Sequence, residues 1–552
     1  MKLNESKQTS CWRRFLKHGK KIVGGTTLLS ALCLAPSAIL AGGHGLPKDA
    51  APADQQVLRV PCDNTRNEVT FDFAVAVYQR YECIADLFQD TLVDLDKDFN
   101  VIPASAESWS VDASGKVWTF KLSEGLQWSD GTPLTAADYE ATFRYSADPS
   151  SAWDFTWFYS FIGAGGIKNW SKVIAGEMPT SALGIRAVDD LTLEVETEGV
   201  FPPLPGVMKF AFLLSKKALE AHGPYYNNDP DTAVSAGPYV LTEFDPGNRI
   251  VVEANPNYKG YRPARLQRIE GIYMSPATFF TAFQQGEVDT VPYEYLTPAD
   301  FKVIESDPGL KDNYLRHFGD FRTDYLLFDT YTAPFNDLNV RKAFGYPASD
   351  TNGELKQYQN FDCPKAKKHL ADAGYPDGKG FPAQEMWLRG EGPAMSAVYQ
   401  ASAASIAQCL NIKIEVSNKD GKVYMDALNA KPTQLTLGAV SYGMDFLDPA
   451  NLLGIWVSSG RHSWTNEKFD SMVAEASNLV GDDKKREQMF RDAQKILVDD
   501  VGGVFIAHRW QGDLFKPYVQ GDSFRVPDSN GISGKHWGND WYWGNVYISN
   551  AK

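Results

Sequence analysis

The stretch KVWTFKLSEGLQWSDGTPLTAADYEATFRYS, residues 116–146, switches its apolar period from two to about 3.6 within one turn. Trp118, Phe120 and Leu122 alternate with Thr119 and Lys121, as on one face of a strand. Glu124-Gly125 supplies a turn and Leu126 and Trp128 resume the apolar side, so the spacing predicts a hairpin over 116–131. Thr135 and Asp138 then stand at capping-box spacing and open a helix. The same succession recurs along the chain. QVLRVP (56–61), LTLEVET (191–197), YVLTEF (239–244), RIVVEAN (249–255), NIKIEV (411–416) and GGVFIAH (502–508) read as strands, and DYLLFDT (324–330) as a buried one. PATFFTAFQQGEVDTV (276–291) reads as a short helix, a Gly stop and a strand, and LNVRKAF as the start of a helix. DDKKREQMFRDAQKILVDD (482–500) is an amphipathic helix with Met489, Phe490, Ala493, Ile496 and Leu497 inward. Such a chain lays helices on mixed sheets, and its 552 residues exceed a single core. The expected class is α/β, in at least two lobes.

The first residues follow a different logic. CWRRFLKHGKK (11–21) is basic, IVGGTTLLSALCLAPSAIL (22–40) is apolar but broken by Gly, Thr and Pro, and small residues follow at Ala41, Gly42 and Gly43. That order predicts a secretory signal peptide over 1–41, with the Sec and twin-arginine routes both open. SALC (30–33) lacks the apolar residue expected before a lipidated Cys. The chain carries a formal net charge of −15, and removing 1–41 makes the rest more acidic still, so nucleic acid and anionic membrane surfaces are poor partners. Four cysteines follow the leader: Cys62, Cys83, Cys363 and Cys409. In an exported chain they allow two disulfides in three connectivities; the sequence-near pairs, Cys62–Cys83 and Cys363–Cys409, are favoured.

Catalytic signatures are missing. The sequence holds no HExxH, no G-x-S-x-G elbow, no Walker A loop and no G-x-G-x-x-G, and its His residues stand singly. DLDKDFN (94–100) starts like a calcium loop, but Phe99 replaces the Gly and Ser105 the bidentate Glu, so it reads as an acidic turn. SYGMDFLDPANLLGIW (441–456) sets Asp445 and Asp448 among Tyr442, Met444, Phe446, Leu447 and Trp456. Residues three apart on one loop do not flank a substrate from two sides, which argues against a hydrolytic pair. Asp448-Pro449 reads as a turn that shapes the loop.

Six stretches, taken together and in order, resemble family 5 of the extracellular solute-binding proteins, the peptide-binding type serving ABC importers. They are 107–143, 235–247 (SAGPYVLTEFDPG), 282–291 (AFQQGEVDTV), 333–344 (APFNDLNVRKAF), 363–382 (CPKAKKHLADAGYPDGKGFP) and 464–476 (WTNEKFDSMVAEA). The likeness runs from about residue 57 to about 520. It implies a two-lobe periplasmic-binding-protein-like fold with mixed sheets and a hinge. Lobe one would span 42–328 with a subdomain inserted near 100–230, and lobe two 329–514. The segment 515–552 would return to lobe one, and hinge strands would lie at 324–330 and around 506–515. It also implies a periplasmic monomer without cofactor or chemistry of its own, whose partners are a peptide or other small-molecule ligand and a membrane permease. The scaffold also carries nickel chelates, oligosaccharides and opines, so a non-peptide solute is the alternative; an exported hydrolase using paired acids is the more distant one.

By that resemblance Asp445 accepts the ammonium of a bound peptide and Tyr442 faces the ligand, with Phe446 and Trp456 as further ligand contacts. Two departures stand out. Enteric oligopeptide binders carry a basic residue six places before that Asp, where this chain has Ala439. Relatives also extend VRKAF into a longer helix and loop, whereas here it passes directly into GYPASDTNGELKQYQNF with a Pro347 break. The expectation is a disturbed packing of the second lobe at that point.

Overall fold

The computed structural model describes residues 45–65, 69–79, 83–96, 100–161, 166–262, 264–317, 321–348, 353–430, 433–479, 481–509, 511–521, 525 and 544–550. The predicted signal peptide lies outside them, as do residues 97–99 of the acidic turn.

Four sheets of three or more strands, with two two-stranded ones, organise these residues. The first runs Val57–Asp63, Arg268–Met274, Arg249–Ala254, Tyr239–Asp245, with only its first pair parallel. The second is antiparallel throughout, in the order Ala106–Val111, Val117–Leu122, Thr192–Glu196, Ile185–Asp189. A small third sheet places Gln511–Phe515 between Thr290–Val291 and Tyr314–His317. The fourth has five strands, Ile414–Lys419, Gln384–Arg389, Leu437–Tyr442, Thr323–Phe328 and Gly503–His508, parallel at its first two pairs and antiparallel at the others.

The apolar face read from 116–131 is correct: Trp118, Phe120, Leu122, Leu126 and Trp128 are all buried in one core. The hairpin is not. Val117–Leu122 pairs with Ala106–Val111 and with Thr192–Glu196, while 126–134 closes on itself through Trp128 N–H donating to Thr132. Period two fixes which side chains share a face but not which strand lies alongside. Thr135 and Asp138 do form a capping box at the start of Ala136–Ala147. The strand expected at 411–416 sits three residues later, at Ile414–Lys419, after Asn411 has ended the helix Pro393–Leu410 in the left-handed conformation. Gly286 stops Phe279–Gln285 at φ 78°, a conformation that strains residues with a Cβ.

The five-stranded sheet is buried on both faces, which is why DYLLF reads as a continuous apolar run. Leu326, Phe328, Met386, Leu388, Leu437, Ala439 and Val504 face one core. Tyr325, Leu327, Val440 and Tyr442 face the other, where Phe490, Ala493 and Leu497 of Asp483–Asp499 also pack.

Where relatives extend VRKAF, the chain closes up instead of leaving a defect. Leu338–Gly345 ends before Tyr346, Phe344 is fully buried, and the Tyr346 carbonyl accepts from Asp362 N–H. The Gln359 amide donates to the Val498 and Gly503 carbonyls at 2.9 Å each. Cys62–Cys83 and Cys363–Cys409 are both disulfides, at 2.29 and 2.09 Å. Near the other end, Gln56 donates to the Ile548 carbonyl and accepts from its N–H, tying 547–549 to the first strand.

Asp72 is buried, accepts from Gln89 Nε2 and Asn227 Nδ2 at 2.9 Å, and burial pushes its carboxyl up to about 7. A carboxyl raised in the fold favours the folded state while protonated. Stability is therefore expected to fall as pH rises from about 4 to about 7, then level off. Asp72→Asn keeps an acceptor for both amides. Chemical denaturation should show it stabilised at pH 8, by on the order of a few kcal/mol, and nearly neutral at pH 4.

Candidate functional site

The strand Leu437–Tyr442 runs through the middle of the five-stranded sheet and delivers Tyr442 to its end. Three residues on, Asp445 is only 4% exposed. Tyr442 Oη donates to Asp445 Oδ2 at 2.5 Å, and Asn451 Nδ2 donates to the same oxygen at 3.2 Å. Asn451 Oδ1 in turn accepts from Asp445 N–H at 3.0 Å, so one buried amide fixes both the backbone and the carboxylate of the loop. Burial first, and the neighbouring Asp445 second, push the Tyr442 phenol far above its ordinary value, which keeps it a donor.

Asp448 has a different occupation. It caps Pro449–Gly454, accepting from Ala450 N–H at 2.9 Å, and pairs with Arg486 Nη2 at 2.8 Å. The turn predicted for Asp448-Pro449 is this N-cap, with Pro at the first helical position. Trp456 packs below the loop, against Tyr325, His462 and Phe505. Phe446 crosses over. It is 3% exposed and belongs to the core of the antiparallel second sheet, edge-on to Phe201 at 5.7 Å.

Other residues complete the site from far away in the chain. Gly460 folds tightly enough that a Cβ would meet the Ile455 carbonyl at 2.6 Å, and the turn presents Arg461. The Arg461 guanidinium carbon lies 4.9 Å from the Tyr442 ring centre and 5.0 Å from that of Trp157. Trp157 Nε1 donates to Tyr78 Oη at 3.2 Å, and Arg389 lies over the Tyr78 ring at 5.1 Å. The backbone of Tyr78 is held by Asp154, which accepts from Val77 and Tyr78 N–H at 2.7 and 2.9 Å. Burial works against the charge of Arg461, but the phenol oxygens of Tyr78, Tyr325 and Tyr442 outweigh it and raise the group. Sequence reading pointed to Tyr442 and Asp445 and missed Tyr78, Trp157, Arg389 and Arg461, which no local pattern distinguishes.

The chain passes between the third and the five-stranded sheet twice, from Tyr314–His317 into Thr323–Phe328 and from Gly503–His508 into Gln511–Phe515. The two passages are stitched together where Arg509 N–H donates to the Arg322 carbonyl at 2.8 Å. The Arg509 guanidinium pairs with buried Asp324, which also accepts from Tyr399 Oη at 2.6 Å. Among the described residues no His/Cys/Asp/Glu group is arranged to hold a metal, and no helix is long and apolar enough to cross a membrane.

Two bodies meeting at a strand end, joined by paired crossings, match a known design. Residues 100–348 match the model for bacterial extracellular solute-binding proteins, family 5, middle part. This stretch, a little under half of the chain, is similar to that family. Its members are solute-binding proteins, not enzymes. A probable deoxycholate-binding periplasmic protein of Escherichia coli is 26% identical, over 87% of this chain and 93% of its own. The periplasmic oligopeptide-binding protein OppA of Salmonella typhimurium is also 26% identical, over 93% and 97%. Among solved structures, the murein tripeptide binding protein MppA of Escherichia coli superposes with a TM-score of 0.76 at 22% identity, covering 90% of this chain and 98% of that one. Haemophilus influenzae OppA in complex with RPPGFSPFR gives 0.73 at 21% identity, covering 89% and 99%. The fold is thus the two-lobe one of these proteins.

Phe446 carries the loop after Leu437–Tyr442 into the core of the antiparallel second sheet. Phe446→Ala should remove on the order of 3 kcal/mol from the closed arrangement while sparing each lobe. Solution scattering of the unliganded variant should show a larger radius of gyration than that of the wild type.

Proposed function

We propose that this protein is the exported capture component of an ABC importer, closing two lobes over a peptide and delivering it to a membrane permease. Lobe one spans 42–328, with an insertion near 100–230, lobe two spans 329–514, and 515–552 returns to lobe one. The paired crossings between sheets act as the hinge, since two short antiparallel connections let packed bodies rotate without unfolding either. It works in the periplasm and carries out no chemistry.

The observation that carries this reading is Asp445, a buried carboxylate at a strand end between the lobes, oriented by Tyr442 and Asn451. An ammonium at ~4 Å from it gains about 4 kcal/mol at an effective dielectric of 20, before desolvation is set against it. A hydrolase would need a second, facing acid, and Asp448 is engaged as a helix cap and with Arg486. A steroid acid such as deoxycholate has a carboxylate and hydroxyl groups but no amine, so it brings Asp445 no cation.

Isothermal titration with a tripeptide mixture tests the assignment. Asp445→Asn is expected to weaken capture of peptides with a free N-terminus at least about tenfold and to leave N-acetylated ones unchanged. Equal affinity of wild type and variant for free peptides would remove Asp445 from the site.

A further inference from the structure

Residues 69–79 form a closed loop. At its neck Val69 and Thr70 N–H both donate to the Gln79 carbonyl, at 2.8 and 3.2 Å, and inside it Val75 and Ala76 N–H turn back on the Asp72 carbonyl. Residues 70–77 are buried, and the loop delivers Tyr78, which accepts from Trp157 and lies under Arg389. Its later half is held by the segment 146–154. Ser146 Oγ donates to the Ala74 carbonyl, Trp153 Nε1 donates to that of Phe73, and Asp154 accepts from Val77 and Tyr78 N–H. Packing on this side is incomplete, since a cavity of about 10 Å³, room for one water, is lined by Ala74, Ser146, Trp153 and Tyr159 among others. The earlier half is held by Asp72. Its Oδ1 accepts from the Gln89 and Asn227 amides, while its buried Oδ2 has no hydrogen-bond partner. Both amides are locked as donors, because their own oxygens accept from Leu213 and Val234 N–H. The other groups facing the carboxylate are the phenols of Tyr145 and Tyr226, and no cation is among them. Buried Asp90, Asp289 and Asp324 each meet an arginine instead, Arg262, Arg59 and Arg509. A buried carboxylate without a cation, and with one oxygen unsatisfied, is unfavourable while ionised and is relieved by a proton or by water.

We infer that Asp72 is a proton-operated latch on the loop 69–79: protonated, it keeps the loop shut with Tyr78 in the site, and ionised, it admits water and releases the loop. The proton removes a charge that nothing around Asp72 compensates. Burial holds the carboxyl at about 7 in the closed loop, whereas a carboxyl in water titrates near its ordinary 3.8. The closed form is therefore favoured while Asp72 is protonated, and that advantage is lost as pH rises through this window. The loop supplies no strand to any sheet, so it can open by breaking the hydrogen bonds named above while every strand stays paired. Acid thus assembles the site around Tyr78 and neutral pH loosens it. This goes beyond peptide capture and holds for whatever solute the site takes.

Amide hydrogen exchange of the purified protein, corrected for the intrinsic effect of pH on exchange, tests the latch. In wild type the protection factors of Phe73–Tyr78 should fall at least about tenfold from pH 5 to pH 7. At pH 7 they should lie at least about tenfold below those of Leu437–Tyr442, in the centre of the five-stranded sheet. Asp72→Asn keeps an acceptor for both amides without the charge, and should hold the loop level to within about twofold over the same range. Level protection in wild type would overturn the inference. A fall that persists in the variant would overturn the role of Asp72. Loop amides as protected as the central strand would show that only unfolding of the whole chain exposes them, and would overturn the latch as well. The wild-type profile stands however the variant folds. No readout uses a ligand, so failure of the peptide reading and failure of the latch are distinguishable.

Discussion

Tyr442 holds opposite charges at its two ends, the Arg461 guanidinium over its ring and the Asp445 carboxylate on its hydroxyl. The interaction draws on three separate pieces of chain. The strand Leu437–Tyr442 is positioned by the centre of the five-stranded sheet, Asp445 by the buried amide of Asn451, and Arg461 by the close turn at Gly460. The Trp157 ring, from much earlier in the chain, lies 5.0 Å from the same guanidinium carbon and 6.4 Å from the Tyr442 ring. Arg461 and Asp445 are both buried where these segments meet, and low polarity strengthens charge interactions there.

The rest of the architecture serves that meeting. The second sheet and the five-stranded sheet pack on separate cores. Three aromatic residues link these cores: Phe446 lies in that of the second sheet, and Tyr78 and Trp157 pack both against it and against the one that holds Tyr442. The paired crossings are reinforced by Arg509 and Asp324, a buried ion pair that Tyr399 completes with a hydrogen bond. Such a pair favours one geometry over others more than it adds stability.

Local features were legible in the sequence. Capping boxes, the Gly286 stop, the inward face of 483–499 and the double-sided apolar run of 324–328 all follow from residues close in the chain. Partners at a distance were not. The strand 117–122 shows its apolar face in its own sequence, but its neighbours are set by residues 106–111 and 192–196. Tyr78 and Arg461 approach across a separation of 383 residues, and nothing around either one signals the other. Aromatic side chains are ambiguous for a related reason. Trp456 packs under the loop and Phe446 in the opposite lobe, and an apolar ring in a sequence looks the same whether it meets a core or a ligand. Family resemblance supplied Asp445 as a candidate; buried Arg461 and half-buried Arg389 emerge only from the folded chain.

A crystal structure of the protein purified with the ligand it captures in the periplasm tests the central claim most directly. The account predicts a peptide with its ammonium nitrogen in hydrogen-bond contact with Asp445. A ligand lying elsewhere, or one that leaves Asp445 without contact, would contradict it.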